Sequence, residues 1–234
     1  MNKKLSNEES LQAWEKNAKF WDEAMGDESN EFHQMTVRPK VHELLNPSPN
    51  DRILDIACGN GNYAAFLGQQ KIHVTAFDYS LKMIELAKKR QAKYKEYIDF
   101  HVVDVTAEES LMKLKEKGLY TKAVSNMAIM DMSDISVLFR CVNRLLTDDG
   151  AFVFSTQHPC FVTLTEKYMT PHDYYGEAIT GQPVQQCYYH RSLQDIFQLC
   201  FQNGFVIDGF KESYFRNKER PEIIIVRIRK VKGI

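Results

Sequence analysis

Arg52-Ile53-Leu54-Asp55-Ile56-Ala57-Cys58-Gly59-Asn60-Gly61-Asn62-Tyr63 is the stretch that decides the fold. An apolar run closes around an Asp and then breaks into a glycine-rich turn, as a buried strand does when it ends in a loop. Glycines at 59 and 61 let backbone amides approach a ligand with no Cβ in the way, and the loop feeds a helix whose first amides are unpaired. The stretch reads as a nucleotide pocket. Continued through Asn62, Tyr63 and Ala64 it is also a degenerate G-x-G-x-x-A, a weak signal until its context is read.

The context is a series of strands that end on polar residues. His73-Val74-Thr75-Ala76-Phe77-Asp78 closes on a carboxylate about twenty residues past the first glycine, the usual distance for gripping a ribose diol. Phe100-His101-Val102-Val103-Asp104 closes on a second carboxylate, placed to accept an adenine amino hydrogen. Ala123-Val124-Ser125-Asn126 opens into Met127-Ala128-Ile129-Met130-Asp131-Met132, and Ala151-Phe152-Val153-Phe154-Ser155 follows the turn Asp148-Asp149-Gly150.

This ordered set resembles the class I S-adenosylmethionine-dependent methyltransferases over nearly the whole chain. The resemblance implies a Rossmann-like, doubly wound α/β fold: a seven-stranded sheet, mostly parallel with an antiparallel last strand, under a helical N-terminal cap. It also implies a cofactor, S-adenosylmethionine, leaving as S-adenosylhomocysteine. Carried onto this sequence, Asp55 supports the methionine amino group, and Ala57, Gly59 and Gly61 line the methionine portion. Asp78 holds both ribose hydroxyls, Tyr79 and Met83 flank the adenine, Asp104 with Val105 reads its edge, and Asn126 and Met127 supply contacts after the fourth strand. Ala57 stands where the family commonly has Gly, and Thr121-Lys122 where it often has Phe-Asp. Trp14-x-x-Asn17-Ala18-x-Phe20-Trp21, the segment from Asn30 to Leu45, and His190-Arg191-Ser192-Leu193 look like the type-11 small-molecule subgroup.

A chain of 234 residues with 44% hydrophobic content buries a substantial core and fits one catalytic domain, residues 1–234. Its formal net charge of −1 gives no cause to expect a nucleic-acid partner. Lys88-Lys89-Arg90, with Lys93 and Lys95, closes a helix and reads as a solvated face complementing the helix dipole. Five cysteines show no C-x-x-C spacing, which points to a reduced, cytoplasmic protein. No signal peptide or membrane-crossing run is legible, and a monomer or homodimer is expected.

Ser6-x-x-Glu9 reads as a capping box for a first helix whose apolar stripe is Leu11, Trp14, Ala18, Trp21 and Met25, stopped by Gly26. Later helices are expected to start near Ser80, Thr106, Ser133 and Ser192, the last stopping at Gly204. Phe205 to Phe210 and Glu222 to Ile228 read as the sixth and seventh strands.

Residues 157–191 exceed an ordinary α/β connection and are rich in aromatics and histidines, so they are too apolar to be a disordered linker. They read as a substrate-lid insertion, against a structural excursion that completes the core. The first 45 residues read as the other wall, with Trp21 and His33 facing Phe161 and Tyr168 across a small-molecule methyl acceptor. In-line methyl transfer asks the protein chiefly for alignment, and a base only where the acceptor loses a proton. His158, just after the fifth strand, is the best-placed imidazole; a substrate hydrogen bond and a structural role are its alternatives. No metal site is legible, and Asp131 and Asp134 read as caps of the next helix. The expected reaction is transfer of a methyl group to an O, N or C atom of a small metabolite. The alternatives are a catalytically silent S-adenosylmethionine-binding protein, methylation of a protein or RNA, and an NAD-dependent oxidoreductase.

Overall fold

The computed structural model of the chain describes residues 7–231. Ser6, the capping half of the N-terminal box, lies outside them. The described residues form nine strands: β1 (Arg52–Ile56), β2 (His73–Asp78), β3 (Ile98–Val102), β4 (Tyr120–Asn126), β5 (Leu146–Gln157), β6 (His172–Gly176), β7 (Gln186–His190), β8 (Phe205–Ser213) and β9 (Ile223–Lys230). Seven form one sheet in the order β3-β2-β1-β4-β5-β9-β8, and β6 and β7 form a separate hairpin. β1 to β5 pair in parallel, whereas β9 runs antiparallel to both β5 and β8. The expected seven-stranded sheet with its antiparallel last strand is therefore present.

Alternation along the strands feeds two cores. Leu54, Ile56, Phe152, Phe154, Ile224 and Val226 point to one face, where α5 (Glu108–Met112), α6 (Ser136–Leu145) and α7 (Leu193–Gln202) cover them. Ile53, Val74, Val124, Val153, Ile223 and Ile225 point to the other, under α2 (Arg38–Leu45), α3 (Asn62–Gly68) and α4 (Leu81–Arg90). Phe139 of α6 meets Phe152 and Phe154 edge-on, with ring centroids 5.5 and 5.4 Å apart. Truncating such a ring to Ala costs about 3–5 kcal/mol. Burial on both faces makes the central strands near-continuous apolar text, so they are readable in the sequence.

Several boundaries differ from expectation. β3 stops at Val102, so Asp104 lies two residues past the strand. Thr106 does not cap α5; it donates to Asp104 Oδ1, and the helix starts at Glu108. α6 starts at Ser136 rather than near Ser133, with Asp134 Oδ1 accepting the Ser136 amide. Ser80 and Ser192 do cap as expected, the latter in a capping box with Asp195. The hairpin β6–β7 was not legible, because the nine residues that join its strands contain no tight-turn dipeptide.

α1 (Asn7–Met25) and a π turn at His33–Val37 leading directly into α2 complete the N-terminal cap. No helix of the described residues is long and apolar enough to cross a membrane.

Candidate active site

The strand order reverses between β1 and β4, and at such a switch point the carboxyl ends of the strands leave a crevice. Here α1, the π turn and the β6–β7 hairpin roof that crevice, enclosing a cavity of about 460 Å³.

The floor is the loop after β1. Ala57, Gly59 and Gly61 all take left-handed backbone angles, with φ of 55°, 55° and 75°. The Gly59 amide donates to Asp78 Oδ2 at 3.0 Å and the Ser80 amide to Asp78 Oδ1 at 2.9 Å, so Asp78 ties the β1 loop to the start of α4. A Cβ on Gly59 would stand 2.9 Å from the Trp21 ring. A Cβ on Gly61 would stand 2.7 Å from Phe100 in the core, so Gly61 is required by packing and by its backbone angle rather than by the cavity. Asp55 is 1% exposed and its Oδ2 has no partner; burial, with the charge of Asp78 acting in the same direction, pushes its carboxyl up to about 8. Asn60 Oδ1 and Asn126 Oδ1 are likewise buried without a partner.

The roof is held by side chains. Asp22 of α1 receives Arg90 Nε and Nη2, both at 2.7 Å, and Asn60 Nδ2 at 2.9 Å. Glu15 Oε1 accepts from Ser80 Oγ at 2.7 Å. Asn17 joins the hairpin through two bonds to Val184, donating Nδ2 to its carbonyl at 2.8 Å and accepting its amide at 3.1 Å. Arg191 donates to the carbonyls of Ile129, Met132 and Ser133, fastening the loop after β4 to the hairpin. Burial among these carbonyls lowers its guanidinium to about 10.

Of the residues expected at the site, Asp55, Ala57, Gly59, Asp78, Tyr79, Met83, Val105, Asn126, Met127, Trp21 and His33 line the cavity. Gly61, Asp104, His158, Phe161 and Tyr168 are not among its lining residues. The carboxylate of Asp104 is engaged by Thr106. Tyr168 accepts the Leu193 amide through its hydroxyl, and Phe161 packs on the His158 ring. His158 is 2% exposed: its Nδ1 accepts the Cys160 amide at 3.2 Å, and its Nε2 bonds Glu212 Oε1 at 2.8 Å. Both ring nitrogens thus have protein partners, which favours the structural alternative for His158 over the base. Asp131, by contrast, lines the cavity rather than capping α6. A lone acid in the apolar run Met127–Met132 was the available signal. Gln186 and Tyr188 were missed with the hairpin.

His33 is the cavity's imidazole. Asn30 Oδ1 accepts both the His33 backbone amide at 3.0 Å and Nδ1 at 2.8 Å. An atom that accepts the amide is a carbonyl oxygen, so Nδ1 carries the ring proton and Nε2 the lone pair. Burial, reinforced by Arg38, lowers His33 to about 4 and keeps it neutral.

Fold and crevice are those of a doubly wound α/β domain with a cleft at its switch point, the architecture of the methyltransferase structures it resembles. A family model described as a methyltransferase domain matches residues 29–208, and the chain belongs to that family. The ubiquinone biosynthesis O-methyltransferase of Histophilus somni is 28% identical over 160 residues, covering 65% of this chain and 65% of its own, so this chain spans just under two thirds of that relative's length. Among solved structures, magnesium protoporphyrin IX methyltransferase of Synechocystis PCC 6803 with bound SAH aligns with a TM-score of 0.66 at 18% identity, over 96% of this chain and all of its own. The cyclase SpnF aligns with a TM-score of 0.68 at 14% identity, over 97% of each chain. Likeness at that identity establishes the shared fold.

Proposed function

We propose that this chain uses S-adenosylmethionine to methylate a small metabolite held between the glycine-loop floor and the α1–hairpin roof. One observation carries the reading: the buried acceptor atoms of Asp55, Asn60 and Asn126 have no partner in a cavity that also holds the Asp78 carboxylate. A ligand bearing an ammonium group and a ribose diol supplies the donors these atoms need, and a sulfonium is welcome beside acids and aromatic rings. Asp55 would hold the amino group, Asp78 the ribose hydroxyls, and Tyr79, Met83 and Val105 the base.

When bound, the group supplies an electrophilic methyl; the protein aligns the acceptor with it and keeps water out. Residues 157–191 and 7–45 act as the acceptor walls, with Trp21, His33, Gln186 and Tyr188 as lining groups. The enclosed volume fits a small acceptor rather than a macromolecular one. Isothermal titration with S-adenosylhomocysteine and with NADH tests the cofactor: saturable binding of the first and none of the second is expected, and the reverse selects an oxidoreductase. Release of S-adenosylhomocysteine in the presence of a metabolite extract distinguishes a methyltransferase from a silent binder.

A further inference from the structure

The lining of the cavity is unbalanced toward acids and acceptors. Asp55, Asp78, Asp131, Glu177 and Glu222 line it, and Arg38 is the one Arg or Lys among the described lining residues. Arg38 is spent on the Glu28 carbonyl and on Ser29 Oγ. Glu222 Oε2 receives the Phe215 amide and Glu177 Oε2 the Gly181 amide. The cofactor reading accounts for Asp55 and Asp78. Asp131 is left.

The surroundings of Asp131 are built to a fixed polarity. Gln182 Oε1 accepts the amides of Ala178 and Ile179, so its Nε2 faces the other way and donates to Val184 O and to Gln186 Oε1. That bond turns Gln186 so that its Nε2 donates to Asp131 Oδ1 at 3.2 Å and to the Tyr188 hydroxyl oxygen at 3.0 Å. Gln182, Gln186 and Tyr188 are all buried. Asp131 is half-buried at the cavity wall, and one long amide bond leaves most of its accepting capacity unused. Burial accordingly pushes the Asp131 carboxyl well above the usual range, with Asp78 acting in the same direction; Tyr174, Tyr188 and the Cys187 thiol are the other titratable groups beside it.

We propose that the methyl acceptor is an amine, bound as its ammonium by Asp131 and deprotonated there by the same carboxylate. This rests on the methyltransferase reading above. Asp131 Oδ2 and the Nε2 lone pair of His33 are acceptors in one cavity, and an ammonium brings three N–H donors. An alcohol brings one donor, and a carboxylate brings none and meets like charge. The chemistry balances: the ammonium passes one proton to Asp131, and the freed nitrogen pair forms the N–C bond as the C–S bond breaks. Sulfur keeps the electron pair of that bond, and the methylated amine leaves with the positive charge. The proton on Asp131 then goes to solvent.

The test uses the full chain saturated with S-adenosylhomocysteine and a shape-matched series of benzylamine, phenethylamine and tryptamine, with the corresponding alcohols and carboxylates, titrated by calorimetry in two buffers of different ionisation enthalpy. At least one amine is expected to bind about tenfold tighter than its alcohol and carboxylate partners and to do so with a net release of protons, the direction in which a raised carboxyl responds to a bound cation. Asp131→Asn, which keeps an oxygen for Gln186, should abolish both the preference and the proton release while leaving S-adenosylhomocysteine affinity unchanged. Tyr188→Phe, which preserves the ring, should weaken the amine a few-fold. Amines that bind no better than alcohols, or a preference that survives Asp131→Asn, would overturn the proposal. Failure of S-adenosylhomocysteine to bind the wild-type protein would instead overturn the cofactor reading, and the amine series on the ligand-free protein would still decide the role of Asp131.

Discussion

The floor and the roof of the cavity are made by different means. The floor is main chain: three left-handed residues at alternate positions, two strand ends and one carboxylate that ties them, all within 27 residues from Arg52 to Asp78. The roof is side chains reaching across the sequence, Asn17 to Val184, Asp22 to Arg90, Arg191 to Ser133. Local backbone geometry leaves a mark in local sequence, because few residues tolerate it. Long-range pairing leaves almost none, because any Asn, Asp or Arg could have found another partner.

The sharpest way to break the comparison is at Gly61. A Val there meets Phe100 at 2.7 Å and must adopt φ of 75°, costs of about 1–3 and 1–2 kcal/mol. Urea denaturation should show Gly61→Val losing stability of that combined order, whereas an unchanged midpoint would mean the floor is softer than its backbone angles imply. Next in size, Asp78→Ala removes the acceptor proposed for the ribose hydroxyls and its ties to the Gly59 and Ser80 amides. Calorimetry should find S-adenosylhomocysteine bound at least about tenfold more weakly.

The roof should answer differently. Asn17→Ala deletes both bonds to Val184, worth together about 1–2 kcal/mol. Hydrogen exchange should quicken across residues 178–190 and stay as it was around Gly59 and Asp78; equal acceleration in both would show that floor and roof open as one unit. The smallest effect runs the other way. Ala57 holds φ of 55° where glycine is at ease, so Ala57→Gly should be neutral or stabilising by up to about 1 kcal/mol, read as a small rise in melting temperature.

The same contrast explains what could be read in advance. The central strands were legible because burial on both faces writes continuous apolar runs, and the floor residues because Gly59, Gly61 and Asp78 sit at diagnostic spacings. Within that floor, spacing alone could not separate Gly59, which borders the cavity, from Gly61, which borders Phe100, since both take left-handed angles. His158 was placed correctly at the end of β5, but which way an imbedded ring turns depends on Glu212, 54 residues on. Asp131 looked like a helix cap because the sequence does not reveal that α6 begins only at Ser136, or that Gln186 folds back to meet it.

The π turn at His33–Val37 has a consequence for how the cap is phased. The Arg38 amide bonds the carbonyl of His33, five residues back instead of four, so this turn holds one more residue than an α-helical one. In a helix each residue advances the side chains by about 100°. The extra residue therefore offsets everything before it by that angle relative to α2, and the direction of His33 is keyed to a single-residue insertion. Shortening 33–37 by one position would let the helix run on unbroken and swing the imidazole round the axis, together with Phe32, which packs on the core beside Val37.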